Sequence, residues 1–167
     1  MRTMQQCFIL LTSAAFGLAA CNAQPGAQAS DPAPVQEVTR HPVSGLEVVP
    51  LTVRSGNEAH NFRVEVARTD AQQQRGLMER PPLGDNEGMI FPYNPPRIQS
   101  FWMANTPSPL DIIFIGPDGR IINIAANTTP MSSEERYLSQ APASLVLEIR
   151  GGHAAELGIE AGDMVEW

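Results

Sequence analysis

The chain has 167 residues, of which 43% are hydrophobic, and it carries a formal net charge of −7 at pH 7. Its basic side chains, histidine apart, are all arginines. A protein that binds nucleic acid needs a basic face to neutralise phosphates, so this acidic balance argues against a nucleic-acid partner and against electrostatic adhesion to anionic lipid head groups.

The N-terminal segment has the pattern of a secretory signal peptide. Arg2 precedes an apolar run at residues 8–20, which is too short to span a membrane and ends in small residues. The letters LAAC at its end resemble the bacterial lipobox, in which the cysteine is lipidated and becomes the mature N-terminus. We therefore predict a signal peptide at residues 1–20 and a lipidated Cys21. The alternative is an ordinary signal peptide beside a chance cysteine.

The lipobox resemblance also implies a location. Asn22, rather than Asp, follows the cysteine, which in the sorting pattern of such lipoproteins favours the outer membrane of a Gram-negative bacterium. The mature protein would be exported, lipid-anchored and facing the periplasm. The next residues are rich in Ala, Gln, Pro, Ser and Gly without an apolar period, which is typical of a flexible tether. We expect a lipidated N-terminus and tether at residues 21–45 and a single globular domain at residues 46–167.

The mature domain would contain no thiol. Cys7 leaves with the signal peptide, and Cys21 would carry lipid through its sulfur. The domain can therefore form no disulfide, hold no zinc through thiolates and use no cysteine nucleophile. Its stability must come from packing, and a domain of this size buries roughly two thirds of the surface that its unfolded chain exposes.

The first half of the domain predicts a β-hairpin and a short helix. Two apolar or alternating runs, residues 46–53 and 62–66, flank a turn, and Pro50 makes the first an edge or bulged strand. Thr69 followed by Gln72 is a capping box for a helix at residues 70–78. A short buried strand is then expected at residues 89–91, and we expect a proline-rich loop at residues 92–96 because proline cannot continue a central ladder.

The second half predicts mainly strands. Residues 110–115 and 121–126 are apolar on both faces and flank a Gly-Pro-Asp-Gly turn, so we expect a central hairpin. The remaining predicted elements are a long loop at residues 127–141 that can hold one helical turn, a strand at 145–149, a helical turn at 151–157 ending at Gly158, and a final strand at 164–167. The sum is an α+β domain, mostly antiparallel β, with seven or eight short strands in a small barrel-like curled sheet and two short helices.

Seven motifs in this domain resemble a known family. They are GLMER (76–80), GMIF (88–91), FWMANT (101–106), PLDIIFI (109–115), PDGRI (117–121), APASLVLEI (141–149) and LGIEAGD (157–163). In this order they resemble the prokaryotic family called domain of unknown function 192, and the resemblance covers the whole folded region. It implies a compact, mostly β fold that is often secreted, and it implies no established reaction.

The preferred site is a polar corner inside the FWMANT and PLDIIFI motifs. Trp102, Asn105, Thr106 and Asp111, with Arg80 as a counter-charge, could line a small ligand-binding cleft, because apolar walls with a few convergent polar groups are the usual form of a pocket. The plain alternative is that these residues tie down a turn, since Asn and Asp beside prolines commonly bond to the backbone.

Two other hypotheses use different residues. Asp111 and Glu148 are carboxylates in apolar strands, where desolvation would raise one pKa, and such a pair about 5–10 Å apart suits an acid/base hydrolase. Met78, Met89 and Met103 are thioethers that could bind Cu(I), although methionine is more often a gap filler in the core. No nucleophile elbow, metal-ligand spacing or phosphate loop supports catalysis.

The sequence therefore favours a lipid-anchored periplasmic binding or accessory module rather than an enzyme. We expect a monomer without a cofactor, attached to the membrane by its lipid alone, whose partner is a small ligand, a peptide or a glycan.

Overall fold

The computed structural model describes residues 39–167. The predicted signal peptide, Cys21 and most of the predicted tether lie outside the described residues. The strands are β1 (Val48–Ser55), β2 (Glu58–Val66), β3 (Glu87–Arg97), β4 (Ser100–Phe101), β5 (Leu110–Ile115), β6 (Ile121–Ala125), β7 (Tyr137–Leu138), β8 (Ala143–Arg150) and β9 (Met164–Glu166), and the helices are α1 (Asp70–Arg75) and α2 (His153–Glu156). None of these helices is long and apolar enough to cross a membrane.

Seven strands form one sheet in the order β6-β5-β8-β3-β2-β1-β9, and β4 pairs with β7 in a separate ribbon. Neighbours in the large sheet are antiparallel except β2 and β3. The sheet is curled, and the chain around β9 contacts the chain at the start of β6, where Ile121 N–H donates to the Asp163 carbonyl (2.9 Å) and Val165 N–H donates to the Gly119 carbonyl (2.8 Å). The predicted α+β class is confirmed, and the curled sheet is a half-barrel.

The side chains of β5 divide the core into two clusters. Ile113 and Ile115 point into a first core that includes Leu147 and Ala154, and Ile112 and Phe114 point into a second. This follows from the period of two along a strand. All six β5 residues are buried, which confirms the prediction that this strand is central.

The predicted hairpin and capping box are both confirmed. Strands β1 and β2 pair along their whole length. Thr69 N–H donates to Gln72 Oε1 (3.0 Å) and Gln72 N–H donates to Thr69 Oγ1 (3.3 Å). The helix is shorter than predicted because Gly76 ends it in a left-handed conformation, with φ of 45°, which glycine adopts without steric cost.

The prediction that the strand after α1 ends at residue 91 was wrong. Strand β3 pairs with β8 through Pro92 and again at Arg97. The carbonyl of Pro92 accepts a hydrogen bond from Gln73 Nε2 (3.1 Å), on the side of β3 that faces α1 rather than β8. Because the nitrogen and the carbonyl of a strand residue point the same way, the missing N–H of Pro92 costs no hydrogen bond to β8.

Two predictions for the second half were also wrong. The strand after the Gly-Pro-Asp-Gly turn is β6, which is an edge of the sheet rather than a central strand. At this edge, hydrogen bonds from the Asn123 side chain take the place of a neighbouring strand. The side chain donates to the Leu138 carbonyl (3.1 Å) and accepts from Gln140 N–H (3.0 Å). The loop that follows contains β7 and no helical turn, because its residues pair with β4.

The end of the predicted tether is bonded to the sheet. Val48 N–H donates to the Thr39 carbonyl, and His41 N–H donates to the Leu46 carbonyl, both at 2.8 Å. The chain is therefore held against β1 from Thr39 onward, although the sequence placed this turn in the tether.

Candidate functional site

A depression beside the second core lies between α1 and the chain around β4. This cleft has a volume of about 580 Å³, within the usual range for ligand sites. It is lined by Asp70, Gln73, Gln74, Met78, Tyr93, Arg97, Gln99, Ser100, Phe101 and Trp102. A niche of about 40 Å³ adjoins it and shares Gln73, Gln74, Met78, Phe101 and Trp102 with it. Phe91, Thr106 and Glu148 are among the residues that line the niche alone.

Side-chain contacts hold the two walls of the cleft in place. Gln73 Nε2 donates to the carbonyls of Ala67 (3.2 Å) and Pro92 (3.1 Å), which fixes α1 over the middle of β3. On the opposite wall, the Phe101 ring meets Phe91 edge to face at 5.1 Å and Phe114 at 6.0 Å. Edge-to-face pairs at these distances contribute roughly 0.5–1.5 kcal/mol each beyond simple burial.

Trp102 stands at the junction of the cleft and the niche. Its side chain is 46% exposed, which is unusual for an indole of this size. The guanidinium of Arg136 lies 4.8 Å from the ring centroid, and Arg136 Nη1 donates to the carbonyls of Ser133 (2.7 Å) and Glu135 (3.1 Å). The ring is thus held by a cation whose own position is fixed by the backbone.

Glu148 forms the floor of the niche. It lies on β8 between Met89 of β3 and Ile112 of β5, and 5% of its surface is exposed. Burial raises the pKa of Glu148 from 4.5 to about 8, and no described side chain or amide donates a hydrogen bond to its carboxyl. The group is therefore mostly protonated at pH 7 and can donate a hydrogen bond to whatever enters the niche.

Two further polar groups belong to the cleft. Burial and the negative charge of Glu148 raise the pKa of Tyr93 to about 12, while the guanidinium of Arg97, 5.1 Å from the Tyr93 ring, opposes that shift. Gln99 is only 5% exposed, and its Nε2 has no hydrogen-bond partner within the described part of the chain. A buried amide nitrogen without a partner costs roughly 1–3 kcal/mol, so an oxygen acceptor is missing here.

The structure brings together only part of the predicted polar corner. Trp102 and Thr106 both line the niche. Asn105 is exposed and left-handed, with φ of 57°, and its carbonyl accepts from Glu79 N–H (2.8 Å), so it forms a turn beside the niche.

Asp111 lies elsewhere and has a structural role. Its Oδ1 accepts from the N–H groups of Asn127 (2.7 Å) and Gly152 (2.8 Å), and its Oδ2 accepts from Ala154 N–H (2.8 Å). The residue is fully buried. This carboxylate joins the start of α2 to the chain after β6, and three backbone donors occupy it.

Arg80 also lies away from the cleft and does not pair with Asp111. Its guanidinium binds both oxygens of Glu65, at 2.9 and 3.2 Å, and lies 3.3 Å from the ring of His41. Ser44 donates to the same carboxylate. This cluster attaches the turn before β1 to the chain after α1.

The two carboxylates of the hydrolase hypothesis face opposite sides of the sheet. Ile149 is the register partner of Asp111, and Ile112 is the register partner of Glu148. Ile149 belongs to the first core and Ile112 to the second, so the two carboxyls do not face a common cleft.

The three methionines have different environments. Met89 and Met103 are fully buried in the second core, and Met78 lines the cleft and the niche. Among residues 39–167 no group of three or more His, Cys, Asp or Glu side chains is arranged to hold a metal ion.

Of the residues singled out in the sequence, Trp102, Thr106 and Glu148 line the niche, and Trp102 also lines the cleft, whereas the residues of the opposite wall were not singled out. Gln73 lies within the predicted helix at residues 70–78, and Tyr93 and Gln99 lie in or after the segment predicted to be a loop. The sequence signal that pointed to this site was Glu148, because a single carboxyl in an apolar strand requires either a hydrogen-bonding partner or access to a pocket.

Comparisons with known proteins give one family model and two similar solved structures. The DUF192 model, described as an uncharacterized ACR, matches residues 51–167. No curated protein matches the chain. A crystal structure of a protein of unknown function from Novosphingobium aromaticivorans is 54% identical, covers 80% of this chain and 94% of its own, and has a TM-score of 0.76. A candidate transcription regulator from Sinorhizobium meliloti is 34% identical, with coverage of 72% and 94% and a TM-score of 0.70.

Proposed function

This chain belongs to the DUF192 family, and on that premise we propose that its domain is a binding or accessory module that takes its ligand in the cleft between α1 and β4. The ligand is a small molecule, or a short part of a peptide or glycan, because the cleft is open along one side. The module acts by recognition, without a chemical step of its own.

One observation carries this proposal: the buried Glu148 carboxyl lines the niche without a hydrogen-bond partner among the described residues, and its burial raises its pKa to about 8. A carboxyl that served only the fold would be expected to have a cation or a set of backbone donors, as Asp111 has. Glu148 has no hydrogen-bond partner among the described residues and lies in a niche with aromatic walls. Its carboxyl is therefore suited to donate a hydrogen bond to a ligand.

Two other functions have less support. Hydrolysis by Asp111 and Glu148 requires both carboxyls at one substrate, whereas they face opposite sides of β5 and β8. A role in transcription, suggested by the description of the Sinorhizobium meliloti protein, requires contact with nucleic acid or with a regulator, and the net charge of −7 disfavours the first.

The location that we propose is the periplasmic face of the outer membrane, with Cys21 as the lipid-bearing residue. The support is the LAAC sequence followed by Asn22. The test is metabolic labelling with a radioactive fatty acid and fractionation of cells that produce the full chain. Labelling that disappears in Cys21→Ala supports the proposal. Unlabelled wild-type protein, recovered in the soluble fraction, contradicts it.

The test of the binding function is a thermal-shift screen against glycans, peptides and metabolites. Trp102→Ala removes the exposed wall of the cleft, and Trp167→Ala is its matched control. Both indoles are about half exposed, 46% and 51%, and each has an arginine guanidinium over its ring. At least one ligand class should raise the melting temperature of the wild type and Trp167→Ala but not of Trp102→Ala. A flat response, or equal shifts in all three proteins, would contradict the proposal.

A further inference from the structure

We propose that the ligand of the cleft is a neutral sugar ring, stacked on Trp102, with one hydroxyl in the niche against Glu148 and other oxygens toward Gln99. This inference rests on the proposed binding function and assigns its ligand class.

The dimensions of the two spaces match a ring that carries small polar substituents. The niche of about 40 Å³ can hold one small polar group, since a single water requires roughly 10–15 Å³ of such volume. The cleft of about 580 Å³ can hold the ring that carries this group and its neighbour in a chain. Trp102 and Phe101 line both spaces, so one ligand can occupy both while touching the same aromatic wall.

The hydrogen-bonding groups of the cleft select a ligand that accepts hydrogen bonds. The protonated Glu148 carboxyl is a donor, and the unpartnered Nε2 of Gln99 is a donor that lacks an acceptor. A half-turn of the Gln99 amide exchanges its two ends and so presents either one to the ligand. A sugar hydroxyl accepts and donates at once. An ammonium group only donates, so it cannot accept the hydrogen bond of the protonated Glu148 carboxyl.

The charges around the cleft favour a neutral ligand. Asp70 and Arg97 line it with one charge of each sign. Arg136 covers the Trp102 ring, so a cationic ligand would meet a guanidinium group at the aromatic wall.

The exposed indole supplies the remaining contact. One face of a pyranose ring is made of C–H groups, and an indole presents a flat apolar surface with a negative potential over its face. Trp102 is 46% exposed and its orientation is fixed by Arg136, so the ring is available to a ligand without first being ordered. A preordered aromatic surface loses little conformational entropy on binding.

Trp102 also provides the readout. The chain contains two tryptophans, so Trp102 is the only indole in a Trp167→Phe background. In that protein we would titrate neutral hexasaccharides built from α-1,4-glucose, β-1,4-glucose and β-1,4-N-acetylglucosamine and follow the emission. Tetramethylammonium, acetate and an uncharged hexapeptide are the comparison probes. At least one saccharide should give a saturable change, and the three comparison probes should not.

Two substitutions at Glu148 distinguish a neutral donor from an ionised carboxylate. Glu148→Gln keeps a donor in the niche and should change the saccharide dissociation constant by no more than about threefold. Glu148→Leu has a similar volume without a donor and should weaken binding about tenfold or more, which corresponds to one lost hydrogen bond. Both variants are first checked for the wild-type circular dichroism spectrum and a cooperative urea transition.

Each other outcome overturns the inference. If the peptide, acetate or tetramethylammonium binds and no saccharide does, the cleft is a site for another ligand class and the proposed binding function stands. If a saccharide binds but Glu148→Gln abolishes the change in Trp102 emission, the ionised carboxylate is the group that recognises the ligand. If no probe of any class gives a saturable change, and a thermal-shift screen of the wild type is also flat, both the inference and the proposed function fail.

Discussion

Asp111 and Glu148 lie on adjacent strands, one residue apart in register, and their side chains point to opposite faces of the sheet. Asp111 accepts three backbone hydrogen bonds, whereas the carboxyl of Glu148 accepts none from the described residues. The Asp111 carboxyl therefore stabilises the fold, whereas the Glu148 carboxyl faces the niche.

Replacement of Asp111 by Asn should destabilise the domain without altering the cleft. The amide keeps one oxygen but turns an NH₂ group toward backbone N–H donors, so at least one donor loses its acceptor. We expect a loss of roughly 2–4 kcal/mol in the free energy of unfolding, measured by urea denaturation.

The matched control is Asp118→Asn, since Asp118 is exposed and accepts a single hydrogen bond, from Arg120 N–H. That variant should lose less than about 1 kcal/mol. Equal midpoints for Asp111→Asn and Asp118→Asn would mean that the three hydrogen bonds to Asp111 do not support the fold.

Glu148 should make the domain less stable as pH rises. Its pKa is about 8 in the folded protein and 4.5 in the unfolded chain, so between these values the folded state holds a proton that the unfolded state has released. Stability contributed by this group is therefore greatest below pH 4.5 and falls by roughly 1 kcal/mol per pH unit up to about pH 8.

Glu148→Gln removes this titration and leaves every other group in place. Urea denaturation of both proteins from pH 5 to pH 8 should show a difference in stability that grows with pH in favour of the variant. A constant difference over that range would contradict the raised pKa.

Breaking the ion pair between Arg80 and Glu65 should lower the free energy of unfolding much more than breaking an exposed ion pair does. Their side chains are 12% and 4% exposed, and Arg80→Met leaves Glu65 buried without its guanidinium. We expect a loss of about 3–5 kcal/mol, of which the double variant Arg80→Met/Glu65→Leu recovers a large part. Arg54→Met breaks a pair with Glu166 in which both side chains are 55% exposed, and it should cost less than about 1 kcal/mol. Similar losses at Arg80 and Arg54 would show that burial does not matter here.

Gly88, in the GMIF motif, is required by packing. A Cβ on Gly88 would lie 2.8 Å from the Glu148 carbonyl oxygen and 3.1 Å from a methyl group of Val64. Gly88→Ala should therefore cost roughly 1–3 kcal/mol. In the control Gly84→Ala, the new Cβ would meet only the flexible side chain of Glu87 at 3.4 Å, and stability should change little. If Gly88→Ala leaves the free energy of unfolding unchanged, β3 must be able to move away from β8 to make room for the new methyl group.

The elements with strong local signals could be predicted from the sequence. The capping box at Thr69 placed α1, and the alternation around Phe62 placed β2. Long-range pairing could not be predicted in the same way. Pro92 can belong to β3 because the pairing of β2 with β3 ends at Ile90. Strand β6 is an edge of the sheet, where the Asn123 side chain bonds to the backbone of Leu138 and Gln140.

The candidate site was predictable only on one wall for the same reason. Trp102 and Thr106 are close in sequence to a recognisable corner, and Glu148 is conspicuous as an acid in an apolar strand. Gln99 reaches the cleft because β4 pairs with β7. This pairing joins segments that are far apart in sequence, and no local sequence pattern predicts it. Asp111 looked equally conspicuous, and only its three backbone partners show that it is structural.

The most direct test of a neutral recognition acid in the cleft is an NMR titration of the Glu148 side-chain carboxyl carbon, assigned by its absence in Glu148→Gln. We predict that this carbon titrates near pH 8 in the free protein, and at still higher pH when a bound saccharide accepts the hydrogen bond of the protonated form. A carboxyl that titrates near 4.5, or whose titration does not change when the cleft is filled, would contradict this account.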